Sequence, residues 1–204
     1  MSDKSVMSAR QSAELDHAFE RNGYAASDVK WLSQGSILAE VKRVRDGYAE
    51  IKLIEHVVNG AADPFVPTGW SIELHTKSGL MKLERRGAHL YLNGKKIVLF
   101  VSEKQQGGKT IRGRELREEL SGKKVFNANV LDYLLAHPEL IPESWKEKTN
   151  GNTTFIFFWG TIYRLSDGYL FVRCLLWLDG AWHWRSRWLG NDFYGHDPAA
   201  LRAS

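Results

Sequence analysis

The stretch TTFIFFWGTIYRLSDGYLFVRCLLWLDGAWHWRSRWL, residues 153–189, carries the clearest structural signal in the chain. It holds three strand-like runs rich in aromatic and branched residues, with turn residues between them. Ser166-Asp167-Gly168 lies in the first turn and Asp179-Gly180 in the second. A two-residue Asp-Gly turn dictates register. One face of the second hairpin then presents Trp177 with Trp182, Leu175 with Trp184, Arg173 with Ser186 and Phe171 with Trp188. The other presents Leu176 with His183, Cys174 with Arg185, Val172 with Arg187 and Leu170 with Leu189. The reading is a three-stranded antiparallel meander. Such a small sheet needs a partner to cover one face.

Moving toward the N-terminus, KEKTNGN (146–152) is a polar linker and the best candidate boundary. Before it, Asn127 or Asn129 caps a helix over VLDYLLAH, and Pro138 can start a further turn that Pro142 limits. GRELREEL (113–120) reads as a helix, with Leu116 and Leu120 one turn apart. HLYLNGKKIVLFV (89–101) reads as two strands around Asn93-Gly94, the strongest short hairpin signal. Residues 70–83 fit either a helix or a strand. AADPFVPTG (61–69) is a loop, and YAEIKLIEHVV (48–58) alternates like a strand. Three short helices precede it, over 8–22, from a Ser27 cap, and from a Ser36 cap, ending at Gly23, Gly35 and Gly47. They resemble a helix-turn-helix in outline.

The chain has 204 residues, enough for a core without staples. Cys174 is the single cysteine, so no intrachain disulfide or cysteine zinc cluster can form. It is expected to be an inert packed thiol. No apolar run is long enough to span a membrane, and the first residues lack the apolar region of a secretory signal. The expectation is a cytoplasmic protein. The net charge of +4 is uneven. Residues 61–125 carry 13 basic against 7 acidic side chains, whereas 1–60 carry 8 against 9, which argues against DNA reading by the helices.

Two candidate surfaces follow. Lys95, Lys96, Lys104, Lys109, Arg112, Arg114 and Arg117 lie in the basic segment 95–124 and could form an electrostatic footprint for phosphates. The competing reading is an ordinary solvated face. Trp177, Trp182, Trp184 and Trp188 could stack bases, with Arg173, Arg185 and Arg187 as cationic contacts. Here the competing reading is burial, with Arg185 and Arg187 on the wet side.

Recognisable catalytic motifs are missing. Gly107-Gly108-Lys109-Thr110 ends like a phosphate-binding loop, but the position that requires glycine is Glu103. There is no nucleophile elbow. His17, His56, His75 and His89 are isolated, and no His/Glu group has metal-ligand spacing.

The runs NANVLDYLLAHPELIPESWK, FFWGTIYR, LFVRCLLW and WLGNDFYGHDPAALRAS are similar to a large paralogous family of uncharacterised small proteins from candidate-phylum bacteria. LDHAFERNGY, ADPFVPTGW and GGKTIRGRELREEL resemble its N-terminal half. The resemblance implies a bacterial protein and carries over no activity or site residue.

The expected fold is α+β: a helical segment (1–47), a mixed segment with a hairpin (48–145) and a Trp-rich antiparallel meander (153–204), in one compact body or several. The expected function is non-enzymatic binding of RNA or single-stranded nucleic acid through 95–124, without cofactor or metal. One alternative is a protein-interaction or regulatory protein of a bacterial system, using an apolar patch around Trp70 or residues 138–145. The other is an enzyme without a recognisable motif.

Overall fold

The computed structural model describes residues 6–52 and 54–203. They divide into two compact units, 1–54 and 55–204.

The first unit holds α1 (Ala9–Arg21), α2 (Ala26–Leu32) and α3 (Ile37–Arg45). Ser8 and Gln11 form a reciprocal capping box at the start of α1. Ser27 and Ser36 do not cap as expected. α2 begins at Ala26, where the Asp28 carboxylate accepts the Ala25 N–H at 2.7 Å, and Ser36 makes no side-chain cap bond. None of the three helices buries a residue fully. Trp31, Leu38 and Val41 are each more than half exposed.

The second unit is built on strands β1 (His56–Asn59), β2 (Trp70–His75), β3 (Leu80–Arg86), β4 (His89–Leu92) and β5 (Lys95–Phe100). After β6 (Ile111–Arg112) come helices α4 (Gly113–Glu119) and α5 (Ala128–Ala136). The remaining strands are β7 (Ile156–Leu165), β8 (Leu170–Leu178), β9 (Ala181–Trp188), β10 (Asp192–Phe193) and β11 (Ala199–Arg202). Nine of the strands form one sheet in the order β1-β3-β4-β5-β11-β7-β8-β9, with β2 also on β7. Among the described residues, only β11 and β7 pair in parallel. β6 and β10 form a separate antiparallel pair. The fold is α+β.

Turn chemistry shapes the sheet. Asn93 and Gly94, and Asp179 and Gly180, all have positive φ, as a two-residue hairpin turn requires at both central positions. β8 and β9 accordingly pair Leu178 with Ala181 and Trp177 with Trp182, through to Phe171 with Trp188. The strand expected over 48–58 is confined to its end. β1 starts at His56, while Ile51 and Ile54 are mostly exposed. Leu53 lies outside the described residues. KEKTNGN is a loop inside the second unit, closed by a bridge between Thr149 and Asn152.

β11 joins the two halves of the sheet. It pairs with β5 through Ala199–Phe100 to Arg202–Ile97, and with β7 at Phe157. Strands from 80–100 and from 156–188 therefore share one sheet. Both faces of that sheet are covered. Ile156, Phe158 and Leu175 enter one core with Val130, Leu131 and Leu134 of α5. Phe157, Trp159, Val172 and Cys174 enter a second with Leu116 of α4 and Phe193. Adjacent residues fall into different cores because side chains alternate along a strand. Burial pushes the Cys174 thiol up to about 12, which makes it inert.

The start of α5 rests on β7. Asn127 occupies the cap position, but its amide donates to the carbonyls of Gly60 and Thr76, each at 2.9 Å. The Ala128 N–H goes instead to Thr161 Oγ1 at 3.0 Å. Gly160 N–H donates to the Phe126 carbonyl at 2.8 Å. A Cβ at Gly160 would lie 2.8 Å from both Asn127 N and Phe126 C. Both are backbone atoms and cannot rotate aside. Gly160→Ala is therefore expected to destabilise the second unit by about 1–3 kcal/mol, the range for overpacking. Chemical denaturation measures it, and an unchanged midpoint would show that the α5 start is free to shift.

Candidate functional site

The candidate site is a cleft of about 690 Å³ between β2–β3 and residues 120–126. Local structure assembles it in three steps. α4 stops at Leu120, and a turn through Gly122 reverses the chain. Residues 124–126 then run beside β11. Arg202 N–H donates to the Lys124 carbonyl at 3.0 Å, and Phe126 N–H to the Ala200 carbonyl at 3.2 Å. On the opposite wall, the Asn93 side chain accepts the Lys82 N–H at 2.7 Å, which holds the tip of the β4–β5 hairpin against β3.

The lining combines three chemistries. Leu74, Met81, Leu92, Leu120 and Phe126 supply apolar surface. Thr76, Ser78, Asn93 and Ser121 supply hydroxyl and amide groups. Arg117, Lys123, Lys124 and Arg202 bring positive charge. Among the described residues, none of these four cations forms an ion pair, and Lys123 lies over the Phe100 ring at 4.9 Å. Trp159 also lines the cleft. It packs against Phe193 at 5.2 Å, and its buried indole N–H has no hydrogen-bond partner.

A second groove adjoins the cleft. It shares Arg117 and Ser121 with it and adds Arg114 and Arg164. Arg164 is held by Glu73 at 2.6 Å.

The seven cations of the basic segment are distributed over several surfaces. Arg117 reaches the cleft, and Arg114 reaches the adjoining groove. Lys104 sits in a groove with Glu103, Glu115, Glu118 and Glu119, and Lys109 in another with Tyr194 and His196. Arg112 pairs with Asp192 at 3.2 Å and donates to the Gly190 carbonyl. Lys96 Nζ lies 3.4 Å from His89 Nε2, and Lys95 is exposed at the start of β5. None of the four candidate stacking tryptophans lines these grooves, but Trp182 and Trp184 line a separate groove of about 500 Å³ with Arg185. Trp177 and Trp182 meet edge to face at 5.3 Å, and Trp188 meets Tyr169 at 5.0 Å. Trp182 and Trp184 pack partly against the first core.

Arg173 is not a free cation. It is 1% exposed, donates to both oxygens of Asp132 at 3.0 and 2.6 Å, and lies over the rings of Trp184 at 4.5 Å and Phe65 at 5.3 Å. Burial pulls its pKa down, but the Asp132 hydrogen bonds and charge outweigh this and hold it above the ordinary value. Nor is Arg187 wholly on a wet side. It pairs with fully buried Asp197 and lies over Phe155, Phe157 and Phe193. Arg185 is exposed, as expected.

Residues 138–145 offer no apolar patch, because Leu140, Ile141 and Trp145 are buried. Trp70 is half-buried against Tyr163 and Phe171. Sequence reasoning missed Trp159 and Arg202 as site residues. Lys123 and Lys124 lay inside the basic segment but were not singled out. Arg202 had no signal at all, since only the β11 crossover brings it there.

Comparison with protein-family models, curated proteins and solved structures finds no match. Among the described residues, no helix is long and apolar enough to cross a membrane.

Proposed function

We propose that the protein is a non-enzymatic binding module whose cleft takes a nucleoside phosphate, either free or as one unit of a single RNA strand. The observation that carries this reading is the set of four cations without ion-pair partners around a part-apolar cleft lined with hydroxyl and amide groups. Cations suit phosphate. The hydroxyl and amide groups suit a polar ring better than an alkyl chain. The volume lies in the range of small-ligand sites. The adjoining groove, joined through Arg117, would carry the phosphate of a neighbouring nucleotide.

The test is fluorescence anisotropy with labelled mixed-sequence RNA at two salt concentrations, with unlabelled adenosine monophosphate as competitor. Binding is expected to weaken steeply with salt. The triple variant Lys123→Ala/Lys124→Ala/Arg202→Ala is expected to lose about a thousandfold or more in affinity, since charged hydrogen bonds are worth about 1.5–3 kcal/mol each. Lys95→Ala/Lys104→Ala/Lys109→Ala, lying elsewhere, should change it by about twofold or less through screened charge alone. No binding at low salt, or equal losses from the two sets, would overturn the reading. Competition by the mononucleotide distinguishes a free nucleotide from a strand as the source.

A second reading rests on a separate observation. The helices of the first unit expose Trp31, Leu38 and Val41, which suits a protein partner. A partner captured by the full chain should be lost with Trp31→Ser/Leu38→Ser, and capture unaffected by that variant would sink this reading.

A further inference from the structure

Three side chains that are far apart in sequence meet at one end of the sheet. His56 opens β1, His137 follows the last turn of α5, and Glu139 lies two residues on, in a short 3-10 turn. The nearest nitrogen and carboxylate atoms of the three all lie within 4.8 Å of one another. His137 Nδ1 is 3.2 Å from Glu139 Oε1. The His56 and His137 rings meet edge to face at 5.0 Å. Tyr133, one helical turn before His137, lies against that ring at 4.4 Å, and its hydroxyl is 3.4 Å from His56 Nδ1.

We propose that His56, His137 and Glu139 form a binding site for a divalent transition metal, with zinc the best fit. Two imidazoles and one carboxylate are the protein donor set of open zinc sites, where water takes the fourth position. Ligand atoms about 2.0–2.1 Å from a tetrahedral ion lie about 3.4 Å apart. The His137–Glu139 pair already has that separation, and closing the third ligand needs a shift of an ångström or so. The two histidines are half-buried, while Glu139 is exposed, so an ion has a path from solvent. The packing of Tyr133 on His137 limits how that imidazole can turn. Imidazole nitrogen excludes the hard cations calcium and magnesium as good occupants.

The experiment is titration of the metal-free full chain with Zn²⁺ by calorimetry, and with Co²⁺ by visible absorption. One equivalent is expected to bind, with the intense Co²⁺ bands of low, near-tetrahedral coordination. Glu139→Gln, on an exposed side chain, should keep the fold and weaken binding by about tenfold or more. His137→Ala should abolish the Co²⁺ bands, and the thermal unfolding of both variants without metal checks that the fold is kept. His89→Ala, a histidine outside the cluster, should leave binding unchanged. No stoichiometric binding, or binding that survives both Glu139→Gln and His137→Ala, would overturn the proposal.

Discussion

Asp132→Ala should be among the most destabilising single changes in the second unit, with an expected loss of about 3–5 kcal/mol. The cause is the guanidinium left behind. Arg173 is 1% exposed, and its charge is met by both oxygens of Asp132. Asp132 is itself about one-third exposed, so the pair is not wholly removed from water. The rings of Trp184 and Phe65 cover the guanidinium but cannot replace a carboxylate. Removing the acid leaves a buried charge without its counter-ion. The double variant Asp132→Ala/Arg173→Met should recover much of the loss, because an apolar chain of similar length needs no counter-ion. Urea denaturation of the wild type and both variants reads this directly. If the single variant loses less than about 1 kcal/mol, the value for an exposed pair, Arg173 finds water or another partner.

Asp197→Ala is expected to cost a similar amount, about 3 kcal/mol or more. Asp197 is fully buried and accepts from the Arg187 guanidinium and from the Tyr194 N–H at 2.7 Å. Its loss strands two donors at once. The loop that leads into β11 keeps its backbone tie from Asp197 N–H to the Tyr194 carbonyl at 2.9 Å and the Gln105 Nε2 bond to the same carbonyl at 2.7 Å, so the cost comes from the two stranded donors. Asp197→Asn keeps the shape and one acceptor, and should cost less. Equal stability of the Ala variant and the wild type would show that Arg187 turns to solvent without penalty.

The hairpins were legible because their turns carry the information locally. Asn93-Gly94 and Asp179-Gly180 accept positive φ, and once a two-residue turn is placed, every pair that follows is set. The covering of the meander was not legible. AALR, residues 199–202, is too short to show a period, yet it becomes the strand that joins β5 to β7. With that strand in place, α5 and α4 pack against opposite sides of the sheet, which hides Arg173 and half-hides the tryptophans. The candidate site was legible only in part. The basic segment contains Arg117, Lys123 and Lys124, but nothing local distinguishes them from Lys95 or Lys104. What distinguishes them is the cleft, and the cleft depends on β11. His56 reads as isolated for the same reason, since β1 and the end of α5, which carries His137, meet only in the folded sheet.

Nucleotide binding in the cleft is read most simply at Trp159, whose ring lines it. The measurement is the ¹⁵N–¹H spectrum of the tryptophan indoles during titration with adenosine monophosphate, with Trp159→Phe assigning the resonance. The Trp159 signal is predicted to shift as the cleft that its ring lines fills, while those of Trp177, Trp182, Trp184 and Trp188 stay in place. Shifts confined to those four, or no indole shift at saturating nucleotide, would contradict the account.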